Sequence, residues 1–178
     1  MKRFALLILV LVCLSLTAFA ADVPKGDVFG GFSINHVTTG TTTKVSTTSY
    51  GWQGSGAANL TPIVGIVGDF GGQYKTVGTT KNRNYQYLFG PRFNARMEKF
   101  TAFGEALWGG NHSSKGTVSS SQFAMGYGGG LDVMAGKVMV RVIQFDWIPT
   151  RTKTGTTTTW TKNNTRYGFG ISVPLGTK

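Results

Sequence analysis

The sequence has little of three residue types on which many secreted or catalytic proteins depend. Among 178 residues it has one cysteine, 2 histidines and only 7 acidic residues. A single cysteine, Cys13, excludes an intramolecular disulfide framework, and no spacing of histidine, cysteine and aspartate suggests a metal site. After residue 21 no stretch carries a convincing 3.6-residue apolar period, so the pattern of amphipathic helices is also missing. We expect no metal, no cofactor and little helix.

The one long apolar run lies at the N-terminus. Two basic residues precede residues 4–16, which are nearly all apolar, and the tripeptide Ala18-Phe19-Ala20 has the small-x-small form of a signal-peptide cleavage site. This run of about 13 apolar residues is shorter than the roughly 20 that a transmembrane helix needs. We therefore predict a secretory signal peptide at residues 1–20, and its cleavage removes Cys13.

The predicted mature chain, residues 21–178, has a length that suits one domain. Without the two basic residues of the signal it keeps 16 of the 18 Lys and Arg residues against 7 acidic ones, a formal charge of +9. So basic a chain can bind nucleic acid, but export and the lack of a nucleic-acid motif argue against that partner. Glycine, threonine and aromatic residues are abundant, which favours β-structure.

Alternation of side chains predicts eight strands in the mature chain. They lie at about residues 27–36, 50–60, 63–74, 84–95, 99–110, 121–133, 138–149 and 163–175. Long polar connections at 37–49, 75–83, 111–120 and 150–162 alternate with tight turns at 61–62, 96–98 and 134–137. This alternation predicts an antiparallel up-and-down meander with its long loops at one end. An even number of strands places both termini at the other end.

The stretch NYQYLFGPRFNAR, residues 84–96, shows how the two faces of these strands differ. One face carries Tyr85, Tyr87, Phe89, Pro91 and Phe93, and the opposite face carries Asn84, Gln86, Leu88, Gly90, Arg92 and Asn94. Other strands repeat the pattern, with one large apolar face and one face of glycine with isolated charges. Strands of about 9 to 13 residues also match the 9 to 11 that a tilted strand needs to cross a bilayer.

The polar face does not have the composition of a water-facing surface, which is usually rich in Lys, Glu, Thr and Ser. Glycine, amides and pairable charges instead suit the narrow lumen of an eight-stranded barrel. We therefore predict a transmembrane β-barrel whose aromatic rows face lipid. Seven aromatic residues fall near the long-loop ends of their strands, where an interfacial girdle would lie. They are Tyr50, Trp52, Tyr74, Tyr85, Tyr87, Trp108 and Trp147.

Several sequence motifs resemble a branch of small bacterial outer-membrane β-barrel proteins, akin to OmpA-like transmembrane domains and often termed porin family. They are GWQGSGAANL, GIVGDFGGQY, YLFGPRF, FAMGYGGGLDV, RVIQFDWIPTR and NNTRYGFGISV. The resemblance covers nearly all of residues 27–175 and implies an outer-membrane barrel with both termini in the periplasm. It specifies no activity. The chain departs from the pattern in its last residues, 173–178, which lack the terminal aromatic common in such barrels, and no segment for a periplasmic domain follows strand eight.

Seven charged residues are candidates for the lumen, where we expect them to pair because a buried lone charge is costly. They are Asp69, Arg92, Glu105, Asp132, Arg141, Asp146 and Arg166. Arg92 faces Glu105 across one tight turn, and Asp132 faces Arg141 across another. Asp69 with Glu105 could form an acid/base pair in an enzyme, but a plug of salt bridges is the favoured interpretation.

Strand seven contains a conflict, because Arg141 and Asp146 lie at positions of opposite parity. Either a β-bulge intervenes near residues 142–144, or Arg141 extends its long side chain to the periplasmic edge of the barrel.

The long loops carry basic residues and no acidic one, which predicts a cationic outer rim. The basic residues are Lys44, Lys75, Lys81, Arg83, Lys115, Arg151, Lys153 and Lys162. The rim could simply be solvated, or it could contact phosphates of lipopolysaccharide. The β-prone, threonine-rich runs in the first and last loops could extend strands one with two, and seven with eight, as hairpins above the membrane. His36 and His112, with nearby serines, are a weaker catalytic possibility.

From the sequence we therefore expect a monomeric outer-membrane barrel with a structural or surface-interaction role and no enzymatic activity. Its partners would be outer-membrane lipid and lipopolysaccharide. Two alternatives stay open: a narrow pore for ions or small solutes, and a secreted lipocalin-like binding barrel. Within the lumen we expect Gly170→Ser to be mild and Arg166→Leu to be harmful.

Overall fold

The computed structural model describes residues 23–39, 45–77, 80–116, 118–154, 157–161 and 163–177. The predicted signal peptide and its cleavage site lie outside these ranges. In the described part of the chain, no helix is long and apolar enough to cross a membrane. The described segments form antiparallel β-structure, as the alternation along the sequence predicts.

Ten strands form within the described ranges, and eight of them build a closed barrel. The barrel strands are β1 (Pro24–Thr39), β2 (Val45–Asn59), β3 (Val64–Val77), β4 (Thr80–Arg96), β5 (Phe100–Lys115), β6 (Val118–Ala135), β7 (Val138–Trp147) and β10 (Asn164–Thr177). The other two, β8 (Thr150–Thr154) and β9 (Thr157–Thr161), form a hairpin that follows β7. Successive barrel strands pair with each other, and β1 pairs with β10 to close the sheet. The predicted eight-stranded up-and-down barrel is confirmed.

Three tight turns join strands at one end of the barrel, which we call the short-turn end. Thr61 Oγ1 accepts a hydrogen bond from the Val64 backbone N–H at 2.9 Å and fixes the first turn. The third turn needs Gly136, whose φ of +68° is in the left-handed region that two-residue hairpin loops require. Pro24 pairs with Thr177 at this same end, so β1 begins next to the residue at which β10 ends.

At the opposite end, the long-loop end, much of what the sequence predicts as loop is strand. β3 and β4 pair out to Val77 and Thr80, and β5 and β6 pair out to Lys115 and Val118. The strands there are polar on both faces, so they carry no apolar alternation by which to recognise them. β1 and β2 also extend as a hairpin to the Thr39↔Val45 pair, as the sequence predicts.

The conflict in strand seven is resolved by a β-bulge. In the pairing with β6, Leu131 faces Ile143 while Asp132 faces Arg141, so Val142 is the extra residue. Val142 and Ile143 both point outwards, whereas Arg141 and Gln144 on either side of them are buried. The bulge thus restores the inward direction that the opposite parity of Arg141 and Asp146 would otherwise prevent. Arg141 lies inside the barrel rather than at its edge.

Ile148 donates its backbone N–H to the Asn164 carbonyl of β10 at 2.8 Å, and the chain beyond it follows β6. Met125 donates its backbone N–H to the Pro149 carbonyl at 3.0 Å, and the pairs Phe123↔Arg151 and Ala124↔Thr150 attach β8 to β6. The predicted extension of strand seven is therefore a separate hairpin, β8 with β9. β8 continues along β6, the strand with which β7 already pairs, and Pro149, which has no backbone N–H, lies at the interruption between the two pairings.

The aromatic rows lie on the outside of the barrel. Phe89 and Phe93 are 50% and 53% exposed, whereas Arg92, between them on the opposite face, is 2% exposed. All seven aromatic residues of the predicted girdle are exposed as well. A secreted lipocalin-like barrel would turn this apolar face inwards, so the outward aromatic surface is that of a barrel surrounded by lipid.

Aromatic residues on this outer surface pack against their cross-strand neighbours. The ring centroids of Phe70 and Phe89 are 5.4 Å apart, and Trp52 Nε1 donates to the Tyr74 hydroxyl at 3.2 Å. Gly72 makes room for that tryptophan, because a Cβ at this position would lie 2.6 Å from Trp52 Nε1. Such pairs fix the register of the strands from the outside.

Candidate functional site

The lumen is crossed by a connected set of buried charged and amide side chains, here called the lumen network. Its members are Asp27, Gln53, Asp69, Gln86, Arg92, Glu105, Asp132, Arg141, Gln144, Asp146 and Arg166. All seven charged residues that the sequence analysis proposed for the lumen lie in it. The structure adds the three glutamines and Asp27.

Arg92 anchors the network near the short-turn end. Its Nε donates to Glu105 Oε2 at 3.1 Å, and its Nη1 donates to Asp27 Oδ1 at 3.1 Å. Glu105 is its direct cross-strand neighbour, as the tight turn between β4 and β5 predicts. Asp27 is the charged member of the network that the sequence analysis missed. Its signal was its place in the inward-facing row of β1 with Ser33 and Asn35.

Arg141 makes the most complete ion pair of the network. It binds Asp132 through two hydrogen bonds, Nε to Oδ1 at 2.8 Å and Nη2 to Oδ2 at 3.0 Å. Its guanidinium carbon lies 4.0 Å from the ring centroid of Phe29 and 4.4 Å from that of Phe103. This bidentate geometry between two aromatic faces holds the side chain of Arg141 in one orientation.

Arg166 holds the part of the network nearer the long-loop end. It donates to Asp146 Oδ2 from Nε at 3.0 Å and from Nη2 at 2.9 Å. Its Nη1 lies 2.7 Å from Asp69 Oδ1, a close ionic contact rather than an aligned hydrogen bond. Gln53 Nε2 then donates to Asp69 Oδ2 at 2.6 Å. Two carboxylates thus depend on a single guanidinium that is completely buried.

Gln144, immediately after the bulge, joins the two halves of the network. Its Oε1 accepts from Arg141 Nη1 at 2.8 Å, while its Nε2 donates to Glu105 Oε1 at 2.9 Å and to Asp146 Oδ2 at 3.0 Å. One neutral side chain therefore contacts a base and two acids. The bulge is what aims both Gln144 and Arg141 into the lumen.

Apolar side chains complete the filling of the lumen. Ala57, Val67, Leu88, Leu107, Ala124 and Ile148 form a buried cluster inside the barrel. Together with the lumen network they close the middle of the barrel, which matches the side-chain-wide interior of eight strands. The structure therefore has a filled waist with a cavity at each end.

The two cavities differ in lining. The cavity at the short-turn end has a volume of about 400 Å³, and methionines and prolines line it together with Asp27, Arg92, Arg96 and Asp132. The cavity at the long-loop end, which we call the outer cup, has a volume of about 290 Å³. Asparagine, glutamine, serine and threonine line most of it, with Lys75 and Arg83.

The proposed acid/base pair does not have the geometry of a reactive site. Asp69 contacts Arg166 and Gln53, Glu105 contacts Arg92 and Gln144, and neither carboxylate lines one of these cavities. A substrate would need a space next to them, which the filled waist does not provide.

The histidines make cross-strand hydrogen bonds near the long-loop end. His36 Nδ1 lies 3.1 Å from Thr48 Oγ1, and His112 Nδ1 lies 2.8 Å from Ser121 Oγ. Within the described residues, the acidic side chains lie in the lumen or, for Glu98, at the short-turn end, so neither pair has a carboxylate neighbour to form a triad. In the same part of the chain no group of three metal-ligating side chains occurs.

Of the predicted cationic rim, three side chains can be placed. Lys75 and Arg83 line the outer cup, and Arg151 is exposed on β8. Lys44 and Lys162 lie outside the described residues. Lys81, Lys115 and Lys153 belong to described strands, but their side chains lie outside the described part.

No protein family and no curated protein matches this sequence. Solved structures do match its fold. The attachment invasion locus protein Ail of Yersinia pestis is 15% identical, with 84% of this chain and 99% of that one covered and a TM-score of 0.53. Neisserial surface protein A is 12% identical over 83% and 96% of the two chains, with a TM-score of 0.55. The outer membrane protein OprG of Pseudomonas aeruginosa is 9% identical over 87% and 97%, also at 0.55.

These similarities establish the architecture: the chain has the fold of the small eight-stranded outer-membrane barrels. One further structure of Ail shows it in complex with the heparin analogue sucrose octasulfate. At such low identity the likeness concerns the fold and leaves the role of the protein to its own residues.

Proposed function

We propose that this protein is an integral barrel of the bacterial outer membrane, with a filled lumen and a structural or surface-interaction role. The observation that carries the proposal is the division of its side chains, with exposed aromatic rows outside and buried, paired charges inside. In a soluble protein the aromatic rows would be exposed to water, whereas in a bilayer the lipid chains would cover them. Both termini would then lie in the periplasm, since the short-turn end of such barrels faces that side.

Membrane fractionation with a gel-mobility assay tests the location. The protein should sediment with outer membranes, resist extraction by carbonate, and migrate faster in unboiled than in boiled samples because the closed barrel stays folded in detergent. Recovery in the soluble periplasmic or secreted fraction would contradict the proposal. Accessibility of a tag placed after Lys178 tests the orientation, and labelling of that tag on intact cells would contradict a periplasmic terminus.

The surface-interaction role rests on the cationic rim. Lys75, Arg83 and Arg151 lie at the long-loop end, and the segments there hold no acidic residue. Phosphates of lipopolysaccharide are the anionic groups nearest to such a rim, and basic side chains are suited to bind them. The polyanionic ligand in the structure of Ail supports the same class of contact for this fold.

Substitutions that remove positive charge at the long-loop end, compared with others at the short-turn end, test the role of the rim. The triple variant Lys75→Gln, Arg83→Gln, Arg151→Gln should bind labelled lipopolysaccharide about tenfold more weakly, since three exposed contacts contribute roughly 1 to 2 kcal/mol together. The loss should be largest at low salt. The matched control removes three basic residues of the short-turn end, Lys25, Lys99 and Lys137, and should bind like the wild type. Equal affinity of both variants would leave the rim merely solvated.

A narrow cation pore is the alternative that one observation favours. The lumen network holds five carboxylates against three guanidinium groups, an excess of negative charge. If the waist opened, cations would therefore pass more easily than anions. The filled waist predicts the opposite default: vesicles containing the protein should exclude sugars, and planar bilayers should show no large steady current. Steady currents in purified wild-type protein would favour the pore.

A further inference from the structure

The outer cup is lined by buried amide side chains, each of which has one atom without a hydrogen-bond partner in the protein. Asn35, Gln73, Asn111 and Asn164 are each more than nine-tenths buried and line the cavity. The Oδ1 atoms of Asn35, Asn111 and Asn164 and the Nε2 atom of Gln73 lack partners. Buried amide atoms without partners are costly, and so many around one space indicate that something polar occupies it.

The amides come from strands all around the barrel mouth. Asn35 lies on β1, Gln73 on β3, Asn84 on β4, Asn111 on β5 and Asn164 on β10. One contact joins two of them, in which Asn84 Nδ2 donates to Gln73 Oε1 at 3.3 Å. That contact uses one end of each amide and leaves Asn84 Oδ1 and Gln73 Nε2 without partners. The outer cup therefore presents hydrogen-bond acceptors and at least one donor from several directions.

The chemistry of the lining selects among ligand classes. No carboxylate lines the outer cup, and Lys75 and Arg83 do, which disfavours a metal cation. The lining has no aromatic side chain, and Val37 is its one apolar side chain, which disfavours a hydrophobic ligand. The partnerless atoms are mostly neutral carbonyl oxygens, which accept from hydroxyl groups and repel phosphate or sulfate oxygens. A neutral compound with several hydroxyl groups satisfies both the acceptors and the donor of Gln73.

We propose that the outer cup binds a single neutral sugar unit, either a free monosaccharide or the terminal residue of a glycan. Its volume of about 290 Å³ is near the lower limit of small-ligand pockets, roughly 300 Å³, and suits one sugar ring rather than a longer chain. The filled waist beneath it makes the outer cup a binding site and not the entrance of a channel. This site lies inside the barrel mouth and does not depend on contact between the rim and lipopolysaccharide.

The test uses the folded wild-type protein in phosphocholine micelles, because maltoside detergents would compete. Methyl glucoside, methyl galactoside and methyl N-acetylglucosaminide are titrated while the side-chain amide signals of the asparagines and glutamines are followed by NMR. At least one of the three should shift the signals of Asn35, Asn111 and Asn164 and leave that of Asn94, at the short-turn end, unchanged. If a trisaccharide of the same sugar shifts them equally, the natural ligand is a glycan terminus. If only the monosaccharide does, the ligand is a free sugar.

Two variants distinguish a loss of binding at the outer cup from a general effect of removing a buried amide. Asn111→Leu with Asn164→Leu removes two partnerless oxygens at nearly constant volume and should weaken sugar binding at least about tenfold, the effect of losing about 1.4 kcal/mol. Asn94→Leu removes an amide at the other end and should bind sugar like the wild type. Gel mobility of unboiled samples checks that both variants are folded.

A wild-type measurement gives a readout that needs no variant. Saturation transfer from the protein to a ¹³C-labelled methyl glycoside should disappear on addition of excess unlabelled glycoside and persist in 100 mM phosphate. Three results would overturn the proposal: no amide shift with any of the sugars at 100 mM, equal sugar affinity in the outer-cup variant and the wild type, or displacement of the sugar by phosphate. The first would mean that water alone occupies the outer cup, and the last would make it an anion site of Lys75 and Arg83.

Discussion

Gln144 holds Glu105 and Asp146 together: its side-chain nitrogen lies 2.9 Å from Glu105 Oε1 and 3.0 Å from Asp146 Oδ2. The same amide accepts from Arg141, so the ion pairs of the short-turn half and those of the long-loop half meet at one neutral residue. Two carboxylates this close together repel each other, and an amide donor between them reduces that repulsion. The cohesion of the lumen network therefore depends on a glutamine as well as on its charges.

Gln144→Leu tests this dependence. The substitution keeps the volume and removes the hydrogen bonds of Gln144 with Glu105, Asp146 and Arg141, so we expect a loss of about 3 kcal/mol in the free energy of unfolding. Gln73→Leu is the matched control, because it removes a buried amide with a single protein contact of 3.3 Å and should cost less than about 1 kcal/mol. Reversible urea unfolding in lipid vesicles measures both, and similar costs would contradict a bridging role for Gln144.

Arg166 should be the most sensitive charge of the lumen. Arg166→Leu leaves Asp69 and Asp146 buried without their cation, and removing one partner of a buried ion pair costs about 3 to 5 kcal/mol. Arg83→Leu, at the exposed long-loop end, should change stability by less than about 0.5 kcal/mol. Adding Asp146→Asn to Arg166→Leu should recover part of the loss in the same unfolding assay. Additive losses from the two substitutions would show that the ion pair does not couple them.

Deletion of Val142 tests the role of the bulge more directly than a substitution does, because it changes the number of residues in the strand. Deleting Val142 leaves only Ile143 between Arg141 and Gln144, so a regular strand without a bulge would place both side chains on the inward face. The deletion variant should therefore still give the faster-migrating folded band. Val142→Ala keeps the register and removes only part of an exposed side chain, so it should fold and lose about 1 kcal/mol. A deletion variant that fails to fold while the alanine variant folds would mean that the bulge does more than set the direction of Arg141 and Gln144.

The sequence predicts contacts across tight turns well. Arg92 with Glu105 and Asp132 with Arg141 follow from register alone, because a short turn fixes which residues face each other. The contacts that it misses, such as Asp27 with Arg92, join strands that are distant in sequence across the lumen, and alternation gives a face but not a partner. Alternation also fails to predict the strand residues beyond the apolar band, because polar strands and polar loops have the same composition there.

Gly170 shows that knowing which face of a strand a residue lies on does not reveal how much space its side chain would have. Its inward position predicts that Gly170→Ser is mild, yet a Cβ there would lie 2.4 Å from the Gly30 carbonyl oxygen and 2.5 Å from the Gly31 Cα. The expectation is wrong, because the space at this position is limited by the backbone of β1 and not by the side chains of the lumen. Close approach of two backbones leaves no trace in the alternation of either strand.

Arginine substitutions at different depths test most directly whether the exposed aromatic rows face hydrocarbon. Phe89→Arg and Phe169→Arg should each cost roughly 2 to 4 kcal/mol on folding into lipid vesicles, because these residues lie near the middle of the apolar band. Tyr85→Arg and Tyr87→Arg, toward the long-loop end, should cost progressively less and approach zero at the interface. A cost that falls in this way from Phe89 to Tyr85 is the result that the structure predicts. A uniform cost at all four positions, or complete folding of the wild-type protein in buffer without lipid or detergent, would contradict it.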